Sequence, residues 1–515
     1  MTEFDKTTRQ RGISRRSVLA GSAGLAGALM ATRFAAAQGE PKRGGTLRVS
    51  FSSTPDSLDP QRTLAAAGQQ ISYLIFDNLT RLDESGAAQP MLATSWTPEA
   101  DATEWVFELR QGVKFHHGTE FSSADVVATI ERAYAADSTF RSKGAFGPIK
   151  EVRAEGPHKV RFVLTQPFVE IPVVVAGRWA RIIPADAVDT LETAPSGTGP
   201  FTFKSFEAGA SVSVVRNPNY WIPGQPYLDG VELVGISESI AQQAAIRGGN
   251  VDILTQIPVE TFLSLRNAGG IKVFSKVTGA YQVMMTQSNM APFDNPKVRE
   301  AFRYVLDRDL LVASALLGQG MVGNDMPFPP GSDFLPDVPQ HKQDLDKAKA
   351  LLKEAGYETM DIDLYTSPER PPTPKIALAF KEAAAKIGVN VNIITVTYAE
   401  YASNVSRKKP FYTTVWSAYP TVYERLYLMY HSNANFKYGK VEDAEGLDAL
   451  LDQVMSELDE AKRKSLIKEA LVKIHKQGER IIPYFTMYVG AASEKVQAYT
   501  PPTYDIIDFR EVWMS

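Results

Sequence analysis

Few residue patterns that could do chemistry survive a reading of their context. Gly318-Gln319-Gly320-Met321-Val322-Gly323 matches the G-x-G-x-x-G spacing of a dinucleotide loop. Such a loop follows a strand and opens a helix, so that backbone N–H groups meet the pyrophosphate. Here it follows a helical stripe and runs into Met326-Pro327-Phe328-Pro329-Pro330, so no cofactor is expected. There is no G-x-S-x-G elbow, Walker A loop, H-E-x-x-H or EF-hand loop. The six histidines are scattered. His116 and His117 are adjacent, and strand neighbours point to opposite faces, so they read as a turn and not as a metal pair. The chain has no cysteine, which excludes disulfides, thiolate metal sites and a cysteine nucleophile. A carboxylate pair needs only spatial proximity, which spacing does not reveal, so a secreted hydrolase stays as an alternative. The expectation is no catalytic residue, no metal and no enzyme.

Other residue types point to binding. Arg178, Trp179 and Arg181 cluster, and arginine suits bidentate contact with carboxylate or phosphate. A solvated loop is the competing reading, and Arg425 stands in the same position. Tyr423, Tyr427 and Tyr430, spaced 4 and 3 apart after Pro420, suit one helical face. They either line a cleft that stacks on a sugar or aromatic ring, or form a core stripe.

The elements that must position these residues follow from pattern. With 515 residues, 44% of them hydrophobic and 22% charged, the chain is globular and too long for one core. Its formal charge of −4 argues against a nucleic-acid partner. Residues 1–37 read as a leader: a basic start, an apolar run from Val18 to Met30 and Ala35-Ala36-Ala37 before Gln38. Arg15-Arg16 makes it resemble a twin-arginine (Tat) signal, with the Tat export machinery as partner of the precursor. The mature chain is expected in the periplasm. Loss of the leader removes six basic and two acidic residues, taking the net charge from −4 to −8.

Period-two alternation predicts strands at Gly44–Phe51, Trp105–Arg110, Val160–Leu164, Ser211–Arg216, Ile362–Tyr365 and Val389–Val396. Ser122 or Ser123 can cap a helix running to Ala135. Asn295 and Pro296 can open another, ending at Gly318. Further helical stripes run over Leu345–Ala355, Leu447–Leu458 and Leu466–Ile474. Alternating strands and helices argue for an α/β protein.

Several segments fit one pattern. They are Ser57-Leu58-Asp59-Pro60, Asp77–Leu82, Gln89–Ala93 with Trp96, and Phe107–His116 with Gly118, Phe121 and Ala124-Asp125-Val126. Gly197–Phe201, Asn217–Trp221, Asp294–Arg299 and Ala348–Leu352 complete the set. Together, in order from about residue 44 to 510, they closely resemble the family 5 extracellular solute-binding proteins, periplasmic receptors of ABC importers for oligopeptides, dipeptides, nickel and related solutes.

The resemblance implies a two-lobe periplasmic binding protein fold (type II, cluster C), with an additional domain inserted in the first lobe. Lobe I would take 38–80, 190–285 and 490–515, the insertion 81–189, and lobe II 286–489. Tyr281–Met285 and Met487–Ala491 would be the crossovers. A small-molecule solute would lie between the lobes, and the permease subunits in the inner membrane would receive it from a monomeric receptor.

In peptide-binding members a strand ends in Trp-x-x-Asp, whose carboxylate pairs with the peptide ammonium. Here the segment is Trp416-Ser417-Ala418-Tyr419, and Tyr419 carries no charge. Glu424 could substitute if the following helix turns it inward. Phe140 lies near the position of an aromatic that covers the ligand. The expected ligand contacts are Trp416, Ser417, Tyr419, Tyr423, Arg178, Trp179, Arg181, Phe140, Tyr281 and Arg425. The expected solute is a small organic molecule with a ring or acyl part and, as an option, an anionic group. A dipeptide or oligopeptide is the alternative.

Overall fold

The computed structural model describes residues 40–515 apart from 100, 136, 137, 139, 141, 142, 435–443 and 505. The leader expected over residues 1–37 lies outside the described residues. Among these, no helix is long and apolar enough to cross a membrane.

An eleven-stranded mixed sheet runs through the molecule. Across it lie Val389–Thr395, Met360–Thr366, Phe411–Trp416, Ile271–Thr286, Arg480–Ser493, Ile253–Leu254, Thr46–Phe51, Gly230–Gly235, Ser211–Arg216 and Phe201–Glu207. Gly320–Val322 adds to Arg480–Ser493 off this path. The G-x-G-x-x-G motif is thus a sheet edge that opens no helix.

Two long strands carry the sheet from one half to the other. Ile271–Val277 pairs with Met487–Ser493, and Tyr281–Met285 pairs with Arg480–Phe485. Between them the register shifts from Val277 to Tyr281. Gly279 sits in this break at φ +106°, a conformation that costs a side-chain-bearing residue.

Separate apolar cores lie on the two halves. One gathers Leu47, Val49, Ile71, Phe201, Val231 and Phe509, and the other gathers Phe293, Phe302, Leu364, Phe380 and Phe411. A four-stranded antiparallel sheet, ordered Ala93–Glu99, Glu104–Leu109, Lys159–Leu164 and Ile149–Ala154, forms a third layer. Its inward residues Phe107 and Phe162 share one core with Leu426, Leu451 and Leu471. Packing therefore joins residues 422–430 and 447–474 to the layer that holds Phe107 and Phe162. Phe168 meets Tyr423 edge-on at 5.0 Å. The Val169 N–H also donates to the Met455 carbonyl at 2.8 Å.

Caps explain the helix limits. Ser122 and Asp125 form a reciprocal capping box on the helix Ser123–Tyr134. Asn295 caps Pro296–Arg303 as expected. The helix expected to continue to Gly318 is instead two: Asp307 accepts from the Leu310 N–H and starts a separate helix, Arg308–Ala315. The break turns Arg303 and Arg308 inward, and both reach the buried carboxylate of Asp325 at 3.2 and 2.9 Å. His341 and His475 stack beside that carboxylate at 4.6 Å.

Candidate functional site

A cavity of about 260 Å³ lies between the two halves. One wall comes from residues 73–91, 173–181 and 500–510, with Lys276; the opposing wall is residues 417–424. The second wall leaves the end of strand Phe411–Trp416 and passes into a π-helix, Tyr423–Tyr427.

Of the expected contacts, the structure brings Arg178, Trp179, Arg181, Ser417 and Tyr419 together on this cavity. Arg178 lies over the Trp179 ring at 5.3 Å. It makes no hydrogen bond with the described residues. Phe140 is buried behind, edge-on to Trp179 at 5.6 Å, so it braces the wall without forming it.

The remaining expected contacts lie off the cavity. Tyr281 is 1% exposed: its strand faces Trp416 and Phe485, and its hydroxyl meets the Met429 sulfur at 3.7 Å. Trp416 is half-buried, with the Arg480 guanidinium 5.8 Å above its ring. Arg425 is buried. Its Nε donates to the Tyr419 carbonyl at 2.6 Å and its Nη1 to the Pro327 carbonyl at 2.8 Å, so it holds the cavity wall from behind.

The expectation of one helical face for Tyr423, Tyr427 and Tyr430 is corrected. A π-turn, Tyr423–Tyr427, passes into an α-turn, Leu428–Tyr430, so the spacing of four keeps Tyr423 and Tyr427 together while Tyr430 falls on another side. Tyr423 stacks on Tyr427 at 5.3 Å and Tyr427 on His431 at 4.2 Å. Tyr430 turns away, under Arg480 at 4.2 Å. Tyr423 and Tyr430 are buried in the core.

Residues distant in sequence, and not anticipated, complete the site. Arg510 forms an ion pair with Asp508, and its Nη2 also donates to the Tyr73 hydroxyl at 2.9 Å. Although desolvation acts the other way, Arg510 holds the Asp508 carboxyl below its ordinary range. Burial pushes the Tyr73 hydroxyl up to about 12. Asp77 accepts from Trp221 Nε1 at 2.8 Å, Thr198 Oγ1 at 3.1 Å and the Tyr220 hydroxyl at 3.3 Å. Burial raises the Asp77 carboxyl despite Arg510 and these donors. On the opposing wall Glu424 faces in, as the substitute-carboxylate reading required. It accepts from Thr421 Oγ1 at 2.7 Å. Burial raises its carboxyl too, with Thr421 and Arg178 acting the other way.

The arrangement suits binding. Arg178 and Arg181, without ion-pair partners among the described residues, lie with an aromatic face, the paired Arg510 and several carboxylates on one wall, with hydroxyls and the Glu424 carboxylate on the other. The Ser417 hydroxyl makes no hydrogen bond to a histidine or carboxylate among the described residues, so no activated nucleophile is assembled there.

Comparison with known proteins fits this geometry. The family model described as bacterial extracellular solute-binding proteins, family 5 Middle, matches residues 87–437. The chain is similar to the glutathione-binding protein GsiB of Escherichia coli K12. The two are 27% identical over 420 residues, 79% of this chain and 80% of that one. Among solved structures it is similar to the binding protein AgaA of A. tumefaciens R10 in complex with agropinic acid. That match has a TM-score of 0.78 at 23% identity, over 92% of this chain and 99% of the other. It is also similar to DppA of Helicobacter pylori in complex with the peptide STSA. There the TM-score is 0.79 at 24% identity, over 92% and 98% of the two chains.

Proposed function

The chain belongs to the bacterial extracellular solute-binding proteins of family 5, and on that premise we propose how it works as the receptor of an ABC importer. It takes up a small organic solute with a ring or acyl part and, as an option, an anionic group, in the periplasm, after export by the Tat machinery. The monomer then presents the solute to the permease subunits of the inner membrane.

The observation that carries this reading is the composition of the cavity. One wall comes from the segments 73–91, 173–181 and 500–510 and the other from residues 417–424, just beyond the strand Phe411–Trp416, and among the described residues two long strands run from one half of the sheet to the other through a register break. A solute touching both walls interacts more strongly with the closed arrangement than with an open one, so binding and closure are coupled.

A thermal-shift screen of the mature protein tests it, using glutathione, agropinic acid, dipeptides, N-acyl amino acids and sugars. A solute at about 100 times its Kd adds about 2.7 kcal/mol of stability. The expected result is a marked rise in Tm with one solute class. No rise with any class counts against the receptor role, and recovery of a chemically altered solute would support the hydrolase alternative.

Glu424 favours a second reading, a dipeptide or oligopeptide receptor. A carboxylate on the cavity wall can pair with an α-ammonium group, as Tyr419 cannot. On that reading Glu424→Gln weakens dipeptides more than their N-acetyl derivatives. Equal weakening of both would remove the ammonium contact.

A further inference from the structure

One buried charge of the cavity is left unanswered by the protein. Arg181 is 1% exposed and borders the cavity. Its guanidinium lies over the Tyr73 ring at 4.6 Å. Among the described residues its single hydrogen bond runs from Nη1 to the Asn78 carboxamide oxygen. Its Nε is buried without a partner, and no carboxylate lies within ion-pair distance of it among the described residues.

Neighbouring carboxylates make their hydrogen bonds elsewhere: Asp508 takes Arg510, and Asp77 is held by Trp221, Thr198 and Tyr220, so that Asp77 acts on Arg181 only at a distance. Buried arginines away from the cavity have more acceptors, although the Arg308 Nε is also without a partner. Arg303 and Arg308 share Asp325. Arg299 donates to the carbonyls of Gln477 and Phe293. A guanidinium stripped of water with one neutral acceptor is costly, and a fold keeps such a group where something else completes it.

We infer that Arg181 is an anion receptor: the solute carries a carboxylate or another oxoanion that docks on the free Nη2 edge of this guanidinium, with Arg178 as a second cation nearby. This rests on the receptor reading above and names the solute group that the reading leaves open. Burial pulls the Arg181 guanidinium down to about 10, which still leaves it charged at neutral pH.

The test uses the mature chain freed of solute, with Arg181→Met and Arg181→Gln. Tm is measured without solute, then with paired probes. The pairs are N-acetyl amino acids and their amides, glutathione and its dimethyl ester, and glucose 6-phosphate and glucose. Without solute, at least one variant is expected to melt no lower than wild type, because the unanswered charge is gone. Only oxoanion-bearing probes are expected to raise wild-type Tm. In both variants their affinity should fall about 100-fold, as when one partner of a buried charge pair is lost. Carboxylate and phosphate pairs tell the two sources of the anion apart.

The inference is overturned if both variants melt several degrees lower without solute, which would make Arg181 structural. It is also overturned if neutral and anionic probes bind wild type and variants alike. No shift with any probe would count against the receptor reading, and the solute-free comparison would still decide the role of Arg181.

Discussion

Glu170→Ala should damage the joint behind the cavity, and the structure sets the size of the effect. Glu170 is buried at the start of the short helix Ile171–Val174. Its Oε1 accepts from the Val422 N–H at 3.1 Å and from Arg463 Nη2 at 2.6 Å. Its Oε2 accepts from the Tyr423 N–H at 2.8 Å. One carboxylate thus satisfies two buried backbone donors and a guanidinium from two other chain segments.

Alanine leaves both N–H groups without a partner, at about 1–3 kcal/mol each. Arg463 is partly exposed and recovers water, so its loss adds less than that of a fully buried ion. The total should be about 3–5 kcal/mol, the usual cost of breaking a buried pair. Glu170→Gln keeps one carbonyl acceptor and the side-chain volume, and should cost less than half as much. Urea unfolding followed by tryptophan fluorescence measures both. Solute affinity should fall with stability, because Val422 and Tyr423 anchor the end of the 417–424 wall. A loss below about 1 kcal/mol for Glu170→Ala would refute the reasoning, since buried donors do not go unpaired so cheaply.

Two other perturbations test the hinge and the buried histidines. A Cβ at Gly279 would lie 2.7 Å from Arg425 Nη2, and the backbone there is left-handed. Gly279→Ala should therefore cost roughly 1–3 kcal/mol in urea unfolding and weaken solute binding in calorimetry, because Arg425 holds the Tyr419 carbonyl. His475 is pulled down to about 4 by burial, with Arg303 and His341 adding to it. In the unfolded chain it protonates near 6.5, so stability is fully present above that pH. It falls as pH drops from 6.5 to 4, because only the unfolded state takes up the proton. His475→Gln should flatten that fall by roughly 1–2 kcal/mol in unfolding measured across the same window.

Much of the fold was legible because the determinants are local. Alternation in Val160–Leu164 and Ser211–Arg216 marked strands, and Ser122 or Ser123 marked a helix start. The continuous helix read from Asn295 to Gly318 failed because Asp307 offers its side chain as a cap, a local competitor that an apolar stripe does not reveal. The tyrosine face failed because the chain passes from a π-turn to an α-turn at Leu428, a change that residue spacing does not reveal.

At the site, Arg178, Trp179 and Arg181 were legible as a cluster in sequence. Tyr73 and Arg510, whose polar atoms meet at 2.9 Å, stand 437 positions apart, and neither carries a local signal. Tyr281 and Tyr423 have the residue type of a ligand contact, but the sheet and the shared core turn their rings inward. Residue type suggests what a side chain can do; packing decides whether a solute can reach it.

The most direct test of the central claim is recovery of the solute. Protein purified from its native host is denatured, and the released small molecules are identified by mass spectrometry. They are then returned to protein freed of solute while Tm is followed. The account predicts one small, chemically unaltered organic anion that restores a raised Tm to wild type and not to Arg181→Met. An altered molecule, or a recovered solute that leaves the wild-type Tm where it was, would contradict it.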